Sequence, residues 1–169
     1  LLTDPHIKTI SQLIFKNISR LELTKTGDRI YIGEELTTLS FLSCPFTPMD
    51  IPRNITINSK TDGDPILEMF TFQLEEALIK IFKESTTRID RTNNIPKNTE
   101  LLLNINKTNE KIIKVEIPPH SLESRRLACK IINTLKIEHP SLETKIRVME
   151  HPLFNKTKNG IILTMNNDS

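Results

Sequence analysis

One long amphipathic segment, from Asp64 to Lys83, constrains the fold more than any other part of the chain. Asp64 is a favourable N-cap, and Pro65 suits the first helical position. The apolar residues that follow recur at steps of three and four, namely Leu67, Phe70, Leu74, Ala77, Leu78, Ile81 and Phe82. This period predicts a helix of about five turns that must bury one face against another layer.

Two further segments have the same period. Residues 4–18, with Asp4 as the N-cap, predict a first helix. Residues 121–137, with Ser121 as the N-cap and Pro140 beyond the end, predict a third helix, whose apolar stripe comprises Leu127, Ile131, Ile132 and Leu135.

The remaining apolar runs are short and favour strands. Residues 21–42 and 54–58 predict a four-stranded meander before the long helix. Residues 101–105 and 111–117 flank a turn at residues 107–110 and predict a hairpin, and residues 145–149 and 161–165 predict a second one. The sequence therefore favours antiparallel pairing throughout.

The fold class that follows is α+β, with antiparallel sheets packed against about three helices in a two-layer sandwich. The chain has 169 residues, which suits one compact domain or two small subdomains. We expect a helix–meander–helix subdomain at residues 1–85, a polar loop at 86–99 and a hairpin–helix–hairpin subdomain at 100–169. Because the chain begins with Leu1, we interpret it as a trimmed fragment or excised domain.

Composition excludes several classes of protein. The net charge is only +2, which makes neither nucleic acid nor an anionic membrane the default partner. No apolar run approaches the length of a membrane span. The two cysteines, Cys44 and Cys129, lie in apolar surroundings, and we predict reduced core thiols of an intracellular protein, cytoplasmic or nuclear. Five N-x-[ST] triplets are attributed to chance in a chain rich in Asn, Ser and Thr; they begin at Asn17, Asn54, Asn106, Asn155 and Asn167.

Catalytic and ligand-binding patterns are weak. Asp62-Gly63-Asp64 is interpreted as a helix cap rather than a cation loop. Glu143 and Lys145, with Asp62 or Asp64, would carry a metal-dependent nuclease, the least favoured hypothesis. The four histidines match no common zinc template and are expected in loops; they are His6, His120, His139 and His151. We therefore expect no catalytic residue, cofactor or metal.

The function favoured by the sequence is a non-enzymatic protein–protein interaction module, a scaffold-like subunit or excised domain of an intracellular multiprotein complex. Met69, Phe72, Ile79 and Phe82 widen the apolar surface of the long helix beyond one stripe, and we predict that they contact another protein subunit.

A nucleic-acid-binding accessory subunit is the alternative function. Residues 121–137 place Arg125, Arg126 and Lys130 off the apolar stripe of their helix, and Lys156 and Lys158 follow in a later loop. Phosphate contacts by these side chains would make binding fall steeply with salt.

A proline-rich turn suggests a family. Cys44-Pro45-Phe46-Thr47-Pro48, followed by Pro52, lies between predicted strands, with a long helix after it. Over residues 4–84 this arrangement resembles the RWD domains, the non-catalytic branch of the ubiquitin-conjugating-like superfamily, although Cys44 stands at the aromatic position of their turn. The resemblance implies a docking role, since the His-Pro-Asn motif and nucleophilic cysteine of the active enzymes are missing between Pro52 and Glu100.

Overall fold

A single seven-stranded mixed sheet organises the part of the chain that the structure, a computed structural model, describes: residues 35–37, 52–83 and 86–166. The strands are β1 (Glu35–Thr37), β2 (Asn54–Asn58), β3 (Arg88–Thr92), β4 (Leu101–Thr108), β5 (Ile112–Ile117), β6 (Glu143–Val148) and β7 (Gly160–Asn166). The helices are α1 (Pro65–Ile81) and α2 (Leu122–Glu138), with a short 3-10 helix at Pro152–Lys156. The strand order is β1-β6-β5-β7-β4-β2-β3.

Both helices begin where their capping residues predict. The Asp64 carboxylate accepts hydrogen bonds from the amides of Ile66 (2.9 Å) and Leu67 (3.2 Å). The Ser121 hydroxyl accepts one from the amide of Ser124 at 3.1 Å. These two predicted helices are confirmed. The predicted helix at 4–18, the strands at 21–32 and the proline-rich turn lie outside the described residues.

Both predicted hairpins are wrong. Strand β7 lies between β4 and β5, pairing parallel with β4 and antiparallel with β5, and β5 in turn lies between β7 and β6. Each helix also connects two parallel neighbours: α1 joins β2 to β3, and α2 joins β5 to β6. A crossover that contains a helix returns the chain to the same end of the sheet, so the strands that flank it run parallel. The sheet is therefore mixed rather than antiparallel.

Strand β3 lies within residues 86–99, for which a loop is predicted. Its sequence is Arg-Ile-Asp-Arg-Thr, with a single apolar side chain, Ile89. Among the described strands it lies at one edge of the sheet, and charged side chains are common on edge strands, where they discourage further pairing. The strands that precede residues 86–99 and those that follow them belong to the same sheet.

Both helices pack on the same face of the sheet. Leu103 and Ile161 are partners in register across β4 and β7, as are Val115 and Ile146 across β5 and β6. All four side chains belong to one buried cluster that also contains residues of α1 and α2, namely Phe70, Leu74, Leu78, Leu127, Ile131 and Leu135. The described residues thus form two layers, helices on one face of a sheet.

The opposite face of the sheet carries hydrogen-bonded polar side chains. The side-chain Nδ2 of Asn58 donates to Oδ1 of Asn104 at 2.7 Å, and Nδ2 of Asn104 donates to Oδ1 of Asn106 at 3.3 Å. The hydroxyls of Thr56 and Thr99 lie 2.8 Å apart. Because these groups satisfy one another, this face tolerates buried polar atoms on β2 and β4.

Cys129 contradicts the prediction of a reduced thiol. It is buried in α2 and disulfide-bonded. The described residues contain no free cysteine. Local sequence contains no signal for this bond, because the pairing of a cysteine depends on contacts made in the tertiary structure.

Candidate functional site

The solvent-facing side of α1 carries three large apolar side chains. Met69, Phe72 and Ile79 are 54%, 46% and 50% exposed. At 3.6 residues per turn they fall within an arc of roughly 80°. We call these three residues the α1 outer face. Phe70 and Leu74 occupy the opposite side of the helix and are buried.

Charged groups surround the α1 outer face. Glu68 and Glu76 are exposed towards its amino end and centre, and Lys80 and Lys83 towards its carboxyl end. The guanidinium of Arg91 on β3 lies over the Phe72 ring, 5.5 Å from the ring centroid. This contact orients the ring while leaving about half of the side chain accessible. The arrangement is an apolar strip with a charged rim, and protein interfaces likewise have an apolar centre surrounded by a polar rim.

Phe82 does not belong to this surface. It is the C-cap of α1, and its side chain is only 3% exposed within the core. Phe82 lies at the border of the buried stripe, so the helical period is compatible with either an exposed or a buried side chain at this position. The predicted contact set is therefore reduced to Met69, Phe72 and Ile79.

The predicted basic surface on α2 is not assembled as expected. Arg126 is completely buried, so its guanidinium cannot reach a phosphate in solution. Arg125 and Lys130 are half-buried, and both have interaction partners. Lys156 and Lys158 are exposed around the end of the 3-10 helix. Because charged side chains are seldom fully buried, nothing in the sequence distinguishes Arg126 from the exposed basic residues of this set.

A polar crevice of about 570 Å³ lies at the carboxyl ends of the parallel strands β2, β4 and β7. Such ends are frequent ligand sites in open α/β sheets. Its charged lining residues are Asp62, Asp64, Lys107, Lys114 and Glu116. Asp64 and Lys107 form an ion pair, and the Glu116 carboxylate lies 3.9 Å from both the Lys114 and the Arg147 nitrogens. Most of this charge is thus compensated within the crevice.

Asp64 combines a helix cap with this ion pair. The Lys107 ammonium group donates a hydrogen bond to the carboxylate and is the main reason that the pKa of Asp64 lies below its ordinary value of 3.8. Partial desolvation opposes this effect, while the amides of Leu67 and Ile66 reinforce it.

We predict that Asp64→Asn destabilises the protein at neutral pH and has a smaller effect in acid. Asparagine still caps the helix, so the substitution removes mainly the charge. A carboxylate with a lowered folded pKa stabilises the fold above its unfolded pKa, and this contribution disappears as the pH falls through the folded pKa. Urea unfolding of both proteins at pH 7 and well below pH 3.8 measures the difference. A gap that stays constant with pH would contradict the assignment.

The residues of the nuclease hypothesis are not brought together. Glu143 and Lys145 lie at the start of β6, 3.8 Å from each other. Asp62 and Asp64 follow β2, four strand positions away, which is roughly 19 Å at about 4.8 Å per strand. Within the described ranges, no group of three or more His, Cys, Asp or Glu side chains could hold a metal ion.

Two histidines share a cavity that sequence reasoning missed. His120 and His151 line a space of about 400 Å³ with Glu150 and Lys158, beyond the carboxyl ends of β5 and β6. His120 has a left-handed backbone (φ 62°), and His151 Nδ1 accepts the Leu153 amide at 3.1 Å. Each histidine adjoins a proline just after its strand. Only the parallel pairing of β5 and β6, which the sequence does not show, places them side by side.

Comparisons with known proteins give no relative. No family model, curated protein or solved structure matches the chain. The resemblance to RWD domains therefore stays a prediction. Neither helix in the described part of the chain has the length and apolar character needed to cross a membrane.

Proposed function

We propose that this chain is a non-enzymatic protein–protein interaction module, and that the α1 outer face is its docking surface. The observation that carries the proposal is the exposure of Met69, Phe72 and Ile79 on one side of a helix whose other side is anchored in the core. Three clustered large apolar side chains are costly to leave in water, and a partner that covers them gains that free energy.

The chemistry of this surface defines its partner. An aromatic ring flanked by methionine and isoleucine is typical of the few residues that dominate binding energy at interfaces. Glu68 and Glu76 border one part of the strip and Lys80 and Lys83 another. The partner is thus a protein with an apolar patch, bordered by basic groups opposite the glutamates and acidic groups opposite the lysines.

Affinity purification of the protein from its own cells tests this proposal. We expect a defined protein partner that resists nuclease and moderate salt, and that is lost from the double variant Phe72→Glu/Ile79→Glu. Both positions are exposed, so the variant should unfold with nearly the wild-type midpoint. The matched control is Lys156→Ala/Lys158→Ala, which should retain the partner.

Three results would contradict the proposal. The partner could remain bound to the α1 variant, it could be lost after nuclease, or it could be lost from the lysine variant. The last two would favour nucleic acid, because phosphate-mediated binding depends on basic side chains and falls steeply with salt. A second copy of the chain in the purified complex would instead identify the partner as the protein itself.

A further inference from the structure

The disulfide bond at Cys129 changes the interpretation of the N-x-[ST] triplets. Disulfide bonds form and persist in oxidising compartments, such as the endoplasmic reticulum lumen and the cell exterior, and are rare in the cytosol. Asparagine-linked glycosylation occurs in the same secretory setting, on N-x-[ST] triplets in surface loops. In an intracellular protein the triplets have no significance beyond chance. In a protein that passes through an oxidising compartment, the same triplets are candidate glycosylation sites.

Three of the triplets lie within the described residues, and their asparagines differ in exposure and hydrogen bonding. Asn54 is half-buried at the start of β2, its carbonyl oxygen accepts the Glu100 amide, and Thr56 is buried. Asn106 is exposed but lies in β4, where its side chain accepts a hydrogen bond from Asn104.

Asn155 has the geometry that a glycan needs. It lies in the 3-10 helix outside the sheet, its side chain is exposed, and no hydrogen bond to that side chain occurs within the described ranges. Among the residues that the structure describes, none has to move to accommodate a bulky substituent on the side-chain nitrogen.

We propose that Asn155 carries an N-linked oligosaccharide and that the chain matures in an oxidising compartment. The donor is a lipid diphosphate-linked oligosaccharide. The amide nitrogen of Asn155 forms a bond to the anomeric carbon and loses a proton, while the bond between that carbon and the phosphate oxygen breaks. The lipid diphosphate leaves with the electron pair. In the fold, the Thr157 hydroxyl donates to the carbonyl oxygen of Thr99 or Asn159, so it is accessible to the transferase only before folding.

The glycan has a consequence for the surface around it. Asn155 lines both the cavity of His120 and His151 and a second one of about 620 Å³ beside Pro96 and Lys97. A glycan at this position shields both cavities from macromolecular partners.

Mass spectrometry of the protein isolated from its own cells tests the proposal. The sample is unfolded in denaturant, alkylated without reduction, digested with trypsin and treated with peptide N-glycosidase in heavy-oxygen water. We expect the unglycosylated peptide 148–156 only after glycosidase, with Asn155 converted to heavy aspartate. The peptide 54–60 is the internal control and should be unchanged. Cys129 should resist alkylation until a reductant is added.

Two variants introduced into the gene complete the test. Asn155→Gln should remove the mass of one glycan, whereas Thr157→Ser keeps the triplet and the hydroxyl and should retain it. Recovery of unmodified peptide 148–156 before glycosidase would overturn the proposal, as would alkylation of Cys129 without reduction. Neither outcome depends on whether the α1 outer face binds a partner.

Discussion

Replacing Phe70 by alanine is expected to lower the free energy of unfolding by about 3–5 kcal/mol, the usual cost of deleting a buried phenylalanine side chain. Phe70 is 1% exposed in the core between α1 and the sheet. The substitution leaves a cavity that the surrounding aliphatic side chains can fill only in part. Urea unfolding measures the effect as a lower midpoint with an unchanged dependence on denaturant.

Phe72→Ala is the matched control, because it makes the same chemical change two positions further along the same helix. Phe72 is 46% exposed and contacts Arg91. The expected loss is about 1 kcal/mol or less, from the cation–π contact and partial burial. Equal effects of the two substitutions would mean that α1 is rotated relative to this structure, and the proposed docking surface would not exist.

Replacing Ser124 by alanine is expected to cost about 1–3 kcal/mol, the range for leaving a buried polar group without a partner. The Ser124 hydroxyl accepts a hydrogen bond from the Gly160 amide at 2.8 Å and one from the Ser121 hydroxyl at 2.7 Å. Both Ser124 and Gly160 are buried, so water cannot replace the lost acceptor without rearrangement. The bond ties the first turn of α2 to the start of β7.

Thr134→Ala is the comparison for this substitution. Thr134 also lies in α2 but is half-exposed, so its loss should change the stability by no more than about 0.5 kcal/mol. Hydrogen exchange at the Gly160 amide gives an independent readout, since Ser124→Ala should accelerate it selectively. Unchanged exchange at Gly160 would show that the hydroxyl is not its acceptor.

The sequence predicts the parts of this fold that depend on local signals. Both described helices follow from an N-cap, a 3.6-residue period and, for α1, a proline at its first position. Strand pairing is different, because the insertion of β7 between β4 and β5 is decided by contacts between distant residues. Strand β3 was missed for a related reason, since an edge strand with charged side chains resembles a polar loop.

The residues of the candidate surfaces also fall into those that local sequence predicts and those that depend on tertiary packing. Helical period alone places Met69, Phe72 and Ile79 opposite the buried stripe of α1. The sequence predicts surface positions for Phe82 and Arg126, but both are buried. Local sequence does not show what packs against a residue at a helix end or on the outer side of a helix. The disulfide of Cys129 likewise follows only from the folded structure.

Oxidation of Met69 by peroxide is the measurement that tests the docking surface most directly. Met69 is 54% exposed, whereas Met165 is fully buried in β7 and serves as the internal standard. In the isolated chain, Met69 should form the sulfoxide much faster than Met165. In the native complex, it should be protected nearly as well as Met165. Equally fast oxidation of Met69 in the isolated chain and in the complex would show that the partner does not cover the α1 outer face.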